Sequence, residues 1–118
     1  MSQRSPITTH VLDTARGRPA AGVPVRLFRQ ALTEATGWIE LAAGVTDADG
    51  RISDLLAPGS IPSGTYRIDF DVGSYCDSIG VSSFYPHVSI AFTIAAGNEH
   101  YHVPLLLSPY GYSTYRGS

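Results

Sequence analysis

Two histidines, His100 and His102, open a final stretch that continues Val103-Pro104-Leu105-Leu106-Leu107-Ser108-Pro109-Tyr110-Gly111-Tyr112-Ser113-Thr114-Tyr115-Arg116-Gly117-Ser118. It reads as two short strands around a Ser-Pro-Tyr-Gly turn. In a strand, alternate side chains point to opposite faces. Val103, Leu105 and Leu107 therefore share one face, and His100, His102 and Pro104 the other. An apolar face wants a core; a face that begins with two histidines wants water, a metal or a substrate. Both could ligate zinc, with His10 or an acid as third ligand, although a spacing of two on a strand permits this without specifying it. His10, in mid-strand, is ordinarily a surface or satisfied core residue. Arg51, directly after Asp47-Ala48-Asp49-Gly50, is ordinarily a solvated charge. Taken singly, none of these positions decides a function.

Other chemistries are poorly supplied. All 8 basic residues are arginines, which excludes a lysine nucleophile or Schiff base. Asp47 and Asp49 fall far short of an EF-hand loop. There is no Gly-rich phosphate loop and no Gly-x-Ser-x-Gly elbow. Cys76 is the single cysteine, so no internal disulfide forms; a buried, inert thiol is the default reading beside that of a nucleophile. A net charge of −2 and a pI near 6.0 give no electrostatic case for nucleic acid or an anionic membrane. The N-terminus, Met1-Ser2-Gln3-Arg4-Ser5-Pro6, lacks an apolar signal core, and no run of about eighteen apolar residues exists. The expected compartment is the cytoplasm.

The elements that must position these residues are short strands. At 118 residues, 43% hydrophobic and 15% charged, the chain suits one soluble domain spanning 1–118. Thr9, Val11 and Asp13 alternate with Thr8, His10 and Leu12 from Ile7 to Asp13. The run from Ala15 to Gly22 reads as a loop. Val23, Val25 and Leu27 alternate with Pro24, Arg26 and Phe28, and a third strand runs from Trp38 to Thr46. Asp47-Ala48-Asp49-Gly50 is a turn, followed by a short strand from Arg51. Tyr66, Ile68, Phe70 and Val72 then alternate with Arg67, Asp69 and Asp71. The pattern breaks between Gly73 and Tyr85, where a short helix or irregular loop belongs. Val88, Ile90, Phe92 and Ile94 resume it, and Ala96-Gly97-Asn98 turns into the last hairpin. About eight strands with no long helix predict an all-β sandwich.

Three stretches together resemble a known family. Thr8-Thr9-His10-Val11-Leu12-Asp13, the following Gly17-Arg18-Pro19-Ala20 and the final Tyr115-Arg116-Gly117-Ser118 are similar to the 5-hydroxyisourate hydrolases, the transthyretin-like enzymes of urate catabolism. The resemblance runs from Ile7 to Ser118. The last tetrapeptide is its specific part, because it separates the hydrolases from the hormone-carrying transthyretins. Leu106 to Tyr110 is common to both branches. The resemblance implies a transthyretin-like (prealbumin-like) sandwich of two four-stranded sheets with one short helix. It also implies a homotetramer, a dimer of dimers whose central channel houses the sites. His10, Arg51, His102 and Tyr115 to Ser118 match the positions that meet there; His100 precedes the motif position. It places the strand carrying Pro104 beside the first. Proline lacks an N–H and belongs at edges or bulges, so a local irregularity is expected there.

The implied reaction converts 5-hydroxyisourate to 2-oxo-4-hydroxy-4-carboxy-5-ureidoimidazoline by opening an amide-like C–N bond, with no cofactor and no metal. A histidine suits proton abstraction from water near neutral pH. A second would orient water or protonate the leaving nitrogen. Arg51 presents a planar fork of donors to a carbonyl-rich ring and to the developing oxyanion. Tyr115, with Arg116 and Gly117, would line the substrate. Ser118 would bring a hydroxyl and the terminal carboxylate, so residues added after it are expected to impair turnover. The competing class is a non-catalytic carrier of a small aromatic ligand, whose channel needs no histidine pair.

Overall fold

Period-two alternation builds the first strand, β1 (Ile7–Asp13), with Thr9, Val11 and Asp13 buried and His10 and Leu12 partly exposed on the opposite face. The computed structural model describes residues 5–32 and 37–117, and Ser118 lies outside them. After β1 follow β2 (Arg18–Pro19), β3 (Pro24–Gln30), β4 (Trp38–Val45), β5 (Arg51–Ile52) and β6 (Gly64–Phe70). Helix α1 (Val72–Ser78) precedes β7 (Val88–Ile94), β8 (Tyr101–Ser108) and β9 (Gly111–Thr114).

The strands form two sheets, one ordered β2-β1-β8-β9 with β5 also on β1, the other β4-β3-β6-β7. The first is the predicted four-stranded sheet with a two-residue fifth strand added. Arg18 and Pro19, within the stretch read as a loop, pair with Asp13 and Leu12. Val72 does not continue β6. Asp71 caps α1 instead, its Oδ1 accepting from the Ser74 amide at 3.1 Å and its Oδ2 from the Ser74 hydroxyl at 2.7 Å.

Between the sheets lie the inward rows predicted from alternation. Ile7, Val11, Val25, Leu27, Tyr66, Ile68, Phe70 and Leu105 are at most 1% exposed. Each fully buried aliphatic or aromatic side chain of this kind contributes about 1.5–3 kcal/mol. Under α1, the Tyr75 hydroxyl donates to Asp13 Oδ2 at 2.7 Å, while Asp13 Oδ1 accepts from the Ala15 and Arg16 amides. This buried carboxylate fixes the end of β1 to the helix. Cys76 is buried beside it, and burial pushes its thiol above the ordinary value, so it stays protonated and unreactive.

β1 and β8 run parallel in unbroken register from Ile7↔Tyr101 to Asp13↔Leu107. The irregularity expected at Pro104 is absent. The carbonyls of His102 and Pro104 accept from the Gly117 amide (2.8 Å) and the Thr114 hydroxyl (2.7 Å), so both face the C-terminal segment. A strand residue directs its N and C=O to the same side. The missing N–H of Pro104 therefore faces past the last β8–β9 pair, Leu105↔Thr114, and no bond to β1 is lost.

Candidate active site

Register alone assembles the site. On β1, Thr8 and His10 point away from the core. β5 places Arg51 opposite His10, and β8 places His102 opposite Thr8 and Pro104 opposite His10. Cross-strand partners share a face. Arg51, His10, Thr8 and His102 therefore stand on one outer face of the first sheet, drawn from three strands.

Arg51 is held by the turn before it. Asp47 Oδ1 accepts from the amides of Asp49 (2.9 Å) and Arg51 (3.0 Å), and the Asp47 amide donates to the Arg51 carbonyl (3.0 Å). Gly50 adopts φ +74, and a Cβ there would collide with the Val11 carbonyl oxygen, so only glycine fits. With its backbone so clasped, Arg51 extends an exposed guanidinium; among the described residues no carboxylate pairs with it.

A cavity of about 170 Å³ opens beside it, lined by Thr8, Thr9, Arg51, Ile52, Ser53, His100 and His102. The Thr8 hydroxyl stands between two rings, 2.9 Å from His100 Nε2 and 2.8 Å from His102 Nδ1. The rings lie nearly parallel, with centroids 6.4 Å apart. Burial holds the His102 pKa below its ordinary value of 6.5, and the neighbouring His10, His100 and Arg51 oppose a positive charge there and lower it further. His102 is therefore a neutral imidazole at neutral pH, able to accept a proton.

His10 stands beside this cavity without lining it. Its Nε2 lies 2.9 Å from the Asp49 carbonyl oxygen. A carbonyl only accepts, so neutral His10 carries its proton on Nε2 and keeps a lone pair on Nδ1.

The C-terminal residues divide between two tasks. Gly117 forms a bridge with His102, and a Cβ on it would lie 2.5 Å from His102 Cδ2. The position thus admits the backbone and nothing larger against the imidazole. Tyr115 and Arg116 line a second groove of about 240 Å³ between β7 and β8, which His102 also borders. There the Arg116 guanidinium covers Tyr101 at 4.4 Å and donates to Glu99 Oε1 at 3.0 Å. Tyr115 and Arg116 are therefore turned away from the Thr8–Arg51 cavity within one chain. His87 lies exposed near Arg26, Asp69 and Asp71, beside the other sheet. Among the described residues no three His, Cys, Asp or Glu side chains converge to hold a metal ion, and the two histidines of the zinc reading meet on the Thr8 hydroxyl instead.

Sequence reasoning did not single out Thr8, which the structure places between His100 and His102. The signal for Thr8 was its shared face with His10; only the parallel pairing of β1 with β8 turns that face toward His102.

Comparison with known proteins agrees with the fold. Residues 7–117 match the HIUase/Transthyretin family. The chain is 49% identical to 5-hydroxyisourate hydrolase of Mus musculus, covering 99% of this chain and 98% of that one. It is 48% identical to the enzyme of the same name from Caulobacter vibrioides, covering 97% and 99%. Among solved structures, Klebsiella pneumoniae 5-hydroxyisourate hydrolase superposes with a TM-score of 0.80 at 38% identity, covering 95% and 98%. Sea bream transthyretin in complex with thyroxine superposes with a TM-score of 0.88 at 33% identity, covering 96% and 95%. Shape therefore does not separate hydrolase from carrier, and the residues on the outer face must. This chain belongs to the HIUase/Transthyretin family.

Proposed function

We propose that this protein is a 5-hydroxyisourate hydrolase acting in urate breakdown, working as a single domain without a cofactor. The observation that carries the reading is the outer face on which a neutral His102, a cationic Arg51 and His10 stand together, with Gly117 against the His102 ring. A carrier needs apolar walls, not a low-pKa imidazole beside a guanidinium that no carboxylate among the described residues neutralises. The near-full-length identity to hydrolases, higher than that to the thyroxine-bound transthyretin, supports the same choice.

The product's carboxyl and ureido groups define the bond broken: a ring carbonyl carbon becomes the carboxyl and its nitrogen leaves as the ureido group. His102 takes a proton from water, which attacks that carbonyl. Arg51 binds the ring and donates to the oxygen as it gains negative charge, an effect worth roughly 3–4 kcal/mol for one well-placed donor. The leaving nitrogen must then be protonated, by His102 in return or through a water near His10 Nδ1. Tyr115 and Arg116, turned away from the cavity within one chain, are assigned to the substrate pocket across a subunit boundary, and the family resemblance assigns Ser118 to the catalytic group. We assign the enzyme to a homotetramer, a dimer of dimers. The open edges of β7 and β9 and the exposed Phe84, Tyr110 and Tyr112 support this assembly. Light scattering on the purified chain checks it, and a monomer at assay concentration would refute it. A reducing cytoplasm fits the free Cys76.

Gly117→Ala is expected to displace the imidazole or the terminal segment by about an ångström and to lower kcat by roughly 10-fold or more. Wild-type kcat in a folded Gly117→Ala protein would show that this contact positions nothing. For the function itself, urate oxidase generates 5-hydroxyisourate in place and the decay of its absorbance is followed. Acceleration beyond the unaided decay supports the hydrolase. No acceleration by the folded protein, with saturable binding of an aromatic ligand, would establish the carrier instead.

A further inference from the structure

We propose that His100, Thr8 and His102 form a proton relay, in which the Thr8 hydroxyl passes to His100 the proton that His102 takes from water. This rests on the hydrolase reading of the same site. The hydroxyl is 2.9 Å from one ring nitrogen and 2.8 Å from the other, and it owns a single proton. It can donate to one histidine only while accepting an N–H from the other. The two imidazoles therefore cannot choose their tautomers independently.

In the resting arrangement His102 carries its proton on Nδ1 and donates to Thr8 Oγ1, whose own proton points to His100 Nε2. This leaves a lone pair on His102 Nε2, the nitrogen away from Thr8. When Nε2 gains a proton from water, Nδ1 releases one to Oγ1, and Oγ1 releases its original proton to His100 Nε2. The hydroxide attacks the substrate carbonyl. His102 is again neutral but now carries its proton on Nε2, as a donor; His100 holds the positive charge. Delivery of the Nε2 proton to the leaving nitrogen reverses the relay and restores every group.

Charge placement favours this. His102 faces His10 on β1 and Arg51 on β5, with His100 two residues before it and the Arg116–Glu99 ion pair along the terminal segment. A proton kept on His102 would be opposed by the Arg51 guanidinium. On His100 it lies just before β8, across the Thr8 hydroxyl from the His102 ring. Thr8 is only 7% exposed, which shields the hydroxyl from exchange with bulk water. Thr8 is a positioning residue in this scheme; it touches no reacting atom.

The test compares Thr8→Val, Thr8→Ser and His100→Gln with wild type in pH–rate profiles, alongside ¹⁵N spectra of the imidazoles. Thr8→Val keeps the shape and removes the hydroxyl. It is expected to lower kcat roughly 10- to 100-fold, the lower part of the range for general acid–base catalysis, with KM little changed. Its acid limb should move to lower pH, because protonating His100 no longer blocks His102. Thr8→Ser restores the rate to within a few-fold and returns the limb. His100→Gln keeps a hydrogen-bonding group for Thr8 but cannot store a proton, and loses kcat as Thr8→Val does. In the spectra, His100 and His102 of the wild type should titrate as one coupled pair, and in Thr8→Val as two separate groups. Independent titration in the wild type, or a Thr8→Val enzyme with unaltered kcat and acid limb, overturns the relay. Those results leave the hydrolase standing if the wild type accelerates decay, whereas a coupled pair in a wild type without acceleration overturns the hydrolase and the relay's catalytic role together.

Discussion

Arg51→Ala is expected to lower kcat for 5-hydroxyisourate roughly 100- to 1,000-fold and at the same time to move the acid limb of the pH–rate profile upward. The first effect follows from position. The Asp47 carboxylate and the glycine-only turn at Gly50 fix the Arg51 backbone, and β5 pairs it with His10. The guanidinium so presented is exposed at the cavity and is not neutralised by a carboxylate among the described residues. Loss of one preorganised donor to a developing oxyanion costs about that much. The second effect follows from charge. Burial holds the His102 pKa down, and the Arg51 guanidinium adds to it by opposing a second positive charge. Removing that guanidinium lets His102 bind a proton at higher pH, so the base is lost earlier on acidification. Arg51→Lys keeps the charge but not the bidentate fork. It should leave the limb near its original place while recovering only part of the rate. An Arg51→Ala enzyme whose rate falls with no change in the acid limb would mean that Arg51 and His102 do not share a site in solution.

Much of the sandwich was legible because alternation records burial residue by residue. The division of β1 into a Thr9, Val11, Asp13 face and a Thr8, His10, Leu12 face, and the apolar row of Val103, Leu105 and Leu107, could be read before any pairing was known. The apolar row is buried, and Thr8 meets His102 on the face it shares with His10. What alternation does not record is which strands become neighbours. Thr8 and His102 are 94 residues apart, and nothing local states that β1 and β8 lie parallel. The site's composition was therefore recognisable only through family resemblance, and Thr8 not at all. The two-residue strand β2 escapes for a different reason: it is too short to show a period, whereas β5 was legible from the turn before it. Pro104 shows a rule applied without its geometry. A proline is excluded from a ladder only on the side its nitrogen faces, and here that side looks past the end of β9. Tyr115 and Arg116 show a limit of another sort, since their groove depends on how the terminal segment leaves β9, which strand periodicity does not encode.

Replacing His102 by asparagine should remove roughly 100- to 10,000-fold of kcat while leaving the fold intact. Asparagine places a polar atom where Nδ1 stood, so the hydrogen bond to Thr8 survives, but nothing replaces Nε2. The expected loss is that of a general base. His10→Gln is the informative partner. Glutamine can keep the donation to the Asp49 carbonyl, and because His10 stands outside the cavity lining, its loss should be the smaller of the two. A larger loss at His10 than at His102 would reverse the assignment of the base. Stability gives an independent check with a definite sign. The folded-state pKa of His102 lies below the unfolded value near 6.5, so between those two values the unfolded chain binds more protons and stability rises with pH. The wild type should therefore lose stability as pH falls from about 6.5 through the folded pKa, and His102→Asn should lose less over that window. A variant equally acid-sensitive there, yet catalytically dead, would place the acid-sensitive titration on another group and leave His102 with its catalytic role alone.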